Sequence, residues 1–498
     1  MNSNYQIYCS HKRKIADLNY SAALLQWDME IYMPQKGGDF RSQQISTLTG
    51  IAHQFSTEEK YGNILEELSN DKSLSEKEKR NVYESLKDFT RNKKYTTEFV
   101  ETLSRAVSEA VQVWTKAKQE NNFPKFAPHL EKLVELKRRE AELLGYENHP
   151  YDALLNLYEP DAKTKELEEL FKGVKEWLVD FVKKISSQKQ NENYFMHKHY
   201  NKEKQWDFGI FLLKQMNYDF EAGRQDISSH PFTTNFNSLD VRVTTRINET
   251  DLNEMIWSCI HEGGHGLYEQ GLSADDYGLP SGEAISLGIH ESQSRLWENS
   301  VGRGLPYWKA NHKKLQESFP ENLKNISADD FYKAMNVVQP SLIRTSADEL
   351  TYHFHVLIRF EIEKALIEKS IEVKDLPAIW NEKYKSYLGV DVPNDAKGVL
   401  QDIHWSYANF GYFPTYSLGS FYAAQFFSQA KKDIANLENE IESGNMKPLL
   451  DWLRKNIHQY GKMYSAEELC KKVTGEKLNF EFFKNYANKK YSKLYNLI

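Results

Sequence analysis

His261, Glu262 and His265 fall in the order His-Glu-Gly-Gly-His, and no other stretch of the chain gathers as much potential chemistry. On a helix, residues four apart lie about one turn apart on one face, so both imidazoles can reach the same ion. Glu262 then points to the adjacent side, beside the position an ion keeps open for water. The pattern therefore points to metal-assisted hydrolysis with Glu262 as the base. Gly263 and Gly264 would each lower helix propensity by about 1 kcal/mol relative to alanine. An exposed helix carrying two unrelated histidines has no reason to keep them.

The helix that must carry these residues begins near Asp251 and runs to Gln270, with Gly271 as its stop. A loop rich in Gly, Ser, Asp and Pro follows over 273–282, then a second helical pattern from Glu283, which can fold back against the first. A catalytic zinc site takes three protein ligands. The third can come from Glu283, His290, Glu291 or Glu298, and position favours His290 and Glu291 without choosing between them. Just upstream, the sequence HPFTTNFNSLDVRVTTRI over 230–247 changes period. Asp240, Arg242, Thr244 and Arg246 fall on one side and Val241, Val243 and Thr245 on the other, as in a half-buried strand, with Asn237-Ser238 as a hairpin turn. This strand is expected at the edge of a cleft, where an extended peptide could pair along Asp240–Thr244.

Helical spacing dominates elsewhere. Phe99, Leu103, Ala106, Ala110, Val113 and Ala117 alternate by four and three over 97–118, and similar patterns cover 130–144, 163–185, 252–269, 283–301 and 349–367. The 498 residues include only 24 glycines and 14 prolines, which suits long helices. With 64 basic and 71 acidic side chains mixed along the chain, no basic stripe for nucleic acid stands out. The lysines at 484, 489, 490 and 493 read as one solvated helix face. Mean hydropathy is −0.68, and no apolar run approaches the roughly 18 residues of a membrane span. Cys9, Cys259 and Cys470 are scattered, which excludes a disulfide scaffold and a cysteine-rich zinc module. The polar start around Lys12, Arg13 and Lys14 leads to no apolar core of a signal peptide, so a cytoplasmic location is expected.

The run Leu287-Gly288-Ile289-His290-Glu291-Ser292-Gln293-Ser294-Arg295, after HEGGHGLYEQG, resembles the carboxypeptidase Taq family of zinc metallopeptidases. Further matches are HPF at His230–Phe232, DVRVT from Asp240, IRTSAD from Ile343, GVLQDIHW from Gly398, the Trp27-Asp28 to Met33-Pro34 segment and PYDALL from Pro150. They span about residues 10 to 490. The resemblance implies a mainly α, two-lobed fold with a deep active-site cleft and a small β-sheet at its edge. It also implies one catalytic domain over 1–498 and a homodimer.

Residue by residue, the resemblance makes His261, His265 and Glu291 the metal ligands and Glu262 the base, with His290 a neighbour of the site. The substrate would be a peptide with a free C-terminus and the ion zinc, although two histidines and a carboxylate also accept cobalt or manganese. For the developing oxyanion the candidates are His404 and, among Tyr407, Tyr412 and Tyr416, Tyr416. Asp402 could orient a metal-binding histidine or cap a helix. The substrate carboxylate calls for an arginine fork. Arg344 is the choice, its bland alternative being a salt bridge to Asp348, and Arg242 is its rival. An oligoendopeptidase, an aminopeptidase, or an inactive metal-binding interaction protein are the competing readings.

Overall fold

Capping and apolar spacing set the helices close to where the sequence puts them. In the computed structural model, which describes residues 3–497, helix Thr97–Glu120 starts where the Thr96 side chain accepts from the Phe99 N–H. It ends at Asn121 in the left-handed region (φ 54°). Its buried face carries Phe99, Ala106, Ala110, Trp114 and Ala117, so Trp114 takes the place expected of Val113. Helix Leu252–Glu269 has the expected bounds, capped by Asp251 onto the Asn253 N–H. Gly271 does follow its end, but for space: a Cβ there would lie 2.3 Å from His458 Nδ1. Among the described residues the architecture is helical apart from one three-stranded sheet, as expected. No helix among the described residues is long and apolar enough to cross a membrane.

The chain forms two compact units, each from three segments. The first comprises Met1–Lys93, Glu192–Met335 and Gly419–Asn479, and the second Lys94–Asn191, Asn336–Leu418 and Phe480–Ile498.

The sheet belongs to the first unit and contains β1 (Gly223–Ile227), β2 (Thr233–Asn237) and β3 (Asp240–Thr245) in the order β1-β3-β2. The Asn237-Ser238 hairpin is present: β2 pairs antiparallel with β3, Thr233 opposite Val243 and Asn235 opposite Val241. β1, whose Gly-Arg-Gln-Asp-Ile sequence has no alternating apolar pattern, pairs parallel with β3. Two expectations change as a result. β3 is the central strand with both edges taken, so a peptide cannot pair along Asp240–Thr244. Thr244 is also fully buried instead of facing the polar side. Its hydroxyl oxygen accepts from the Phe232 N–H at 2.9 Å and its N–H donates to the Phe232 carbonyl at 3.0 Å, which ties HPF to DVRVT.

The second helical pattern starts later than Glu283. Glu283 is drawn to Lys462 Nζ at 2.7 Å, and Ser286 caps helix Leu287–Arg295 by accepting from the Ile289 N–H at 3.1 Å. A π-helical stretch, Leu296–Gly302, continues it.

In the second unit, helix Tyr352–Ile367 is buried along most of its length. It starts after Glu349, and in the turn before it Asp348 Oδ1 accepts from the Leu350 and Thr351 N–H groups. Glu363, with no exposure, accepts from the Tyr151 hydroxyl at 2.6 Å, the Trp405 indole at 2.8 Å and the Gly411 N–H at 2.9 Å. Burial outweighs these donors and raises its carboxyl to about 7 from the usual 4.5. The folded state therefore holds this proton more tightly than the unfolded chain. The stabilisation is complete below about pH 4.5 and is lost as pH rises through about 7, amounting to about 3 kcal/mol for a shift of this size. Melting temperatures measured from pH 5 to 8 should fall more steeply for the native chain than for Glu363→Gln; parallel curves would place this titration elsewhere.

Candidate metal centre and active site

Three side chains of the first unit converge. His261 Nε2 and His265 Nε2 lie 3.7 and 3.4 Å from the same Glu291 oxygen, Oε2. One ligand atom from each residue lies within 4.8 Å of the other two. Donor atoms around a tetrahedral ion bound at about 2.0–2.2 Å stand about 3.3–3.6 Å apart, so the group suits an ion with little adjustment.

Missing side chains make this approach feasible. A Cβ on Gly264 would lie 2.7 Å from Ser294 Cα, and one on Gly263 2.7 Å from Leu213 Cδ2. Across the site a Cβ on Gly419, in helix Pro414–Asp433, would lie 2.5 Å from the Cβ and Cγ of Glu291. The glycines inside the motif are thus packing residues at a helix crossing.

The other ring nitrogens fix the tautomers. His261 Nδ1 meets Glu298 Oε2 at 2.9 Å, and Glu298 also binds Arg295 Nη1 at 3.0 Å and Arg303 Nη2 at 3.1 Å. Glu298, weighed as a ligand from sequence, lies instead against the far ring nitrogen of His261. That is a position considered for Asp402, which lies elsewhere. His265 Nδ1 meets His290 Nδ1 at 2.5 Å, and His290 Nε2 meets Glu269 Oε1 at 2.8 Å. Both nitrogens of His290 are therefore engaged, as a neighbour of the site and not one of the convergent group. Glu283, the remaining candidate, pairs with Lys462. Glu291 Oε1 accepts from Arg295 Nε at 2.7 Å. Burial works against its charge, but Arg295 and the two histidines hold it well below the usual carboxylate range. Burial lowers His265 to about 3, with His290 adding to the effect; His261 is raised because Glu291 and Glu298 outweigh burial.

Glu262 is 7% exposed, and its Oε2 accepts from the Thr233 hydroxyl at 2.7 Å. Burial raises its carboxyl. The sequence reading missed Thr233, Glu269, Arg295 and Arg303. Arg295 and Glu298 were legible as positions four and seven after Glu291, which share its helix face. Thr233 and Glu269 carry no such signal.

The second unit gathers the remaining candidates apart from Arg242. Arg344 Nε donates to Asp402 Oδ1 at 3.0 Å, Nη1 to the Tyr352 hydroxyl at 3.0 Å, and its backbone N–H to Gln401 Oε1 at 3.0 Å. Its partner is therefore Asp402, not Asp348, which accepts from the Leu350 and Thr351 N–H groups instead. Arg359 clasps the same carboxylate through Oδ2, with Nη2 at 2.5 Å and Nε at 2.7 Å. His404 Nε2 lies 3.1 Å from the Tyr416 hydroxyl, and burial together with Arg344 lowers His404 to about 3. Tyr407 is 47% exposed and Tyr412 packs edge-on against Tyr158. Arg242, on β3, is held bidentately by Asp240 at 2.9 Å and stacks on Trp27.

The profile of the carboxypeptidase Taq (M32) metallopeptidases matches residues 7–491. The chain belongs to this family. Similar proteins include carboxypeptidase 1 of Bacillus subtilis, 39% identical over 487 residues and 97% of each chain. Thermostable carboxypeptidase 1 of Thermus thermophilus is 39% identical over 511 residues and 99% of each. Among solved structures, the M32 carboxypeptidase from Deinococcus radiodurans has a TM-score of 0.97 at 34% identity, over 99% of this chain and all of its own.

In this M32 metallocarboxypeptidase the charge of the first-unit cluster also suits a divalent cation. Glu262, Glu269, Glu291 and Glu298 are all buried. Four ionised carboxylates against the guanidiniums of Arg295 and Arg303 leave a charge of −2 when the imidazoles are neutral, as ligands must be. A divalent ion cancels it, and uncompensated buried charge is strongly destabilising. The close approach at Gly419 gives a test. Gly419→Ala should displace Glu291, lowering both bound metal per chain and kcat/KM at least tenfold. Gly173→Ala, with open space around its Cβ, should leave both unchanged and raise stability by about 0.5–1 kcal/mol. Full metal content in Gly419→Ala would show that the cluster tolerates the added methyl.

Proposed function

We propose that His261, His265 and Glu291 hold one divalent ion, zinc by the chemistry of two imidazoles and a carboxylate, and that Glu262 is the base for hydrolysis of the last peptide bond of a chain. The observation that carries this is the convergence of the two Nε2 atoms on one oxygen of Glu291, with Glu262 held beside them by Thr233. When bound, the ion supplies Lewis acidity that makes water nucleophilic near neutral pH and polarises the scissile carbonyl. Thr233 occupies Oε2 of Glu262 and leaves Oε1 to take the proton from water. Burial raises the basicity of that carboxylate. The water oxygen bonds to the carbonyl carbon, Glu262 returns the proton to the leaving nitrogen, and the C–N bond breaks. A peptide shortened by one residue and a free amino acid result.

The substrate carboxylate is assigned to Arg344. Asp402 is the sole carboxylate paired with Arg344 and Arg359 among the described residues, so two guanidiniums and one carboxylate leave a buried charge of +1. His404 adds no charge, being held neutral. The C-terminal carboxylate of a peptide would balance this excess, which favours a carboxypeptidase over an endopeptidase or aminopeptidase of the same metal chemistry. His404 and Tyr416, already hydrogen-bonded, are assigned to the oxyanion. Arg242 is set aside because Asp240 occupies its fork. An intact Glu262 speaks against an inactive interaction protein. The three cysteines are all unpaired, which suits a reducing cytoplasm, and a single catalytic domain acting as a homodimer follows the family resemblance.

Glu262→Gln should keep the metal and lose turnover by about 10²–10⁴ or more. Glu291→Ala should lose metal and activity together. Elemental analysis with assays on a short peptide separates these outcomes, and full metal occupancy in Glu291→Ala would reject the third ligand. For specificity, the ratio of kcat/KM for a free-acid peptide over its amide should exceed tenfold, a difference of about 1.5–3 kcal/mol for a charge-assisted pair. Arg344→Ala should erase most of it. A native ratio near one would reject the carboxypeptidase assignment, and a high ratio untouched by Arg344→Ala would move the anchor to another cation.

A further inference from the structure

We propose that His290 and Glu269 are positioning residues for His265, joined to it in a chain of hydrogen bonds that ends on β2 at Asn235. The proposal rests on the reading of His265 as a metal ligand. The chain is continuous: His265 Nδ1 to His290 Nδ1 at 2.5 Å, His290 Nε2 to Glu269 Oε1 at 2.8 Å, and Asn235 Nδ2 to Glu269 Oε2 at 2.7 Å.

The chemistry of a ligand fixes every proton in it. His265 presents Nε2 to the site, so the ring nitrogen that keeps a hydrogen is Nδ1. That hydrogen needs an acceptor, and the facing atom is His290 Nδ1, which must then be unprotonated. His290 accordingly carries its hydrogen on Nε2 and donates it to the carboxylate of Glu269. One carboxylate thus sets the tautomer of two rings in series, where a direct contact sets only one.

The two ligands are supported in different ways. His261 donates directly to Glu298, but Arg295 and Arg303 neutralise that carboxylate. Glu269 has no arginine or lysine ion pair among the described residues, and its partners are His290 and Asn235. The carboxylate of Glu269 is thus shared with no guanidinium or ammonium, and through His290 it serves His265 alone. Steric freedom is small as well: Glu269 is 6% exposed, and the rings of His265 and His290 pack with centroids 4.5 Å apart.

The far end of the chain explains why an edge strand lies here. Thr233 and Asn235 share one face of β2, two residues apart, and Thr233 donates to Glu262 while Asn235 donates to Glu269. One strand thus sets both the base and the distant anchor of a ligand.

The test is the affinity of the full-length chain for Zn²⁺, measured by chelator competition, with the melting temperature of the metal-free protein measured beside it. His290→Phe, which keeps a ring and loses the acceptor, should weaken Zn²⁺ binding about 10–100-fold. His290→Gln, whose carbonyl oxygen can still accept from His265, should recover part of that loss. Glu269→Gln should weaken binding about tenfold, because it keeps an acceptor and loses the charge. All three should leave the metal-free melting temperature close to that of the parent, and Co²⁺-loaded Glu269→Gln should show a shifted visible spectrum. Parental Zn²⁺ affinity in both His290→Phe and Glu269→Gln overturns the proposal. So does a loss of affinity matched by a loss of metal-free stability, since that marks a purely structural role. Should His290→Phe fail to fold, the nearly isosteric Glu269→Gln decides alone. A parent chain that binds no Zn²⁺, or Glu291→Ala that binds it as tightly as the parent, would instead reject the ligand assignment beneath the proposal.

Discussion

The centre in the first unit depends on how closely helix Leu252–Glu269 lies against helix Leu287–Arg295. Two imidazoles one turn apart are common on helices, and they become a site only when a third donor reaches the same point. Glu291 reaches it because Gly264 lets backbone approach backbone at Ser294, and because Gly419 leaves room for the Glu291 stem. Each glycine is a weak helix former in a helix interior, costing about 1 kcal/mol against alanine. That cost is offset by the burial of the faces the glycines bring together, so local propensity yields to packing.

Once the helices are that close, charge is the next constraint. The first unit buries more carboxylate than guanidinium around the histidines, and the second buries more guanidinium than carboxylate around Asp402. Neither imbalance would survive in a core whose only role was packing, because an apolar replacement of a buried pair is often neutral or stabilising. The excess negative charge of the first suits a cation, and the excess positive charge of the second suits an anion. Glu298 meets both arginines of that cluster as well as His261, so its charge is compensated where it meets the ring.

Much of this was legible in the sequence wherever a periodic signal existed. The bounds of the motif helix, the hairpin at Asn237-Ser238 and the set of convergent residues could be read because spacing alone, or spacing with family resemblance, defines them. What failed to show was long-range. β1 has no alternating pattern, because its neighbours and not its own composition bury it, and so β3 was taken for an edge. Thr244 looked solvent-facing by alternation, yet its hydroxyl is consumed by the HPF loop. Asp402 could not be assigned, since a carboxylate between two arginines from distant segments leaves no trace in local spacing. Nor could Thr233 and Glu269, which matter only through what folding places opposite them.

The sequence motifs beyond His-Glu-Gly-Gly-His are best understood as partners of one another. PYDALL sends Tyr151 to Glu363, and GVLQDIHW sends Trp405 to the same carboxylate. Gln401 accepts from the Arg344 N–H and donates to the Leu342 carbonyl, which fixes the start of IRTSAD, while Asp402 holds its guanidinium. Asp348, at the end of IRTSAD, holds the turn that leads into the helix carrying Arg359 and Glu363. Short polar motifs at irregular spacing are therefore the visible ends of buried hydrogen-bond clusters. Glu363, the centre of one of them, belongs to no motif: it sits within an apolar helical run and looks unremarkable until Tyr151, Trp405 and Gly411 are found around it.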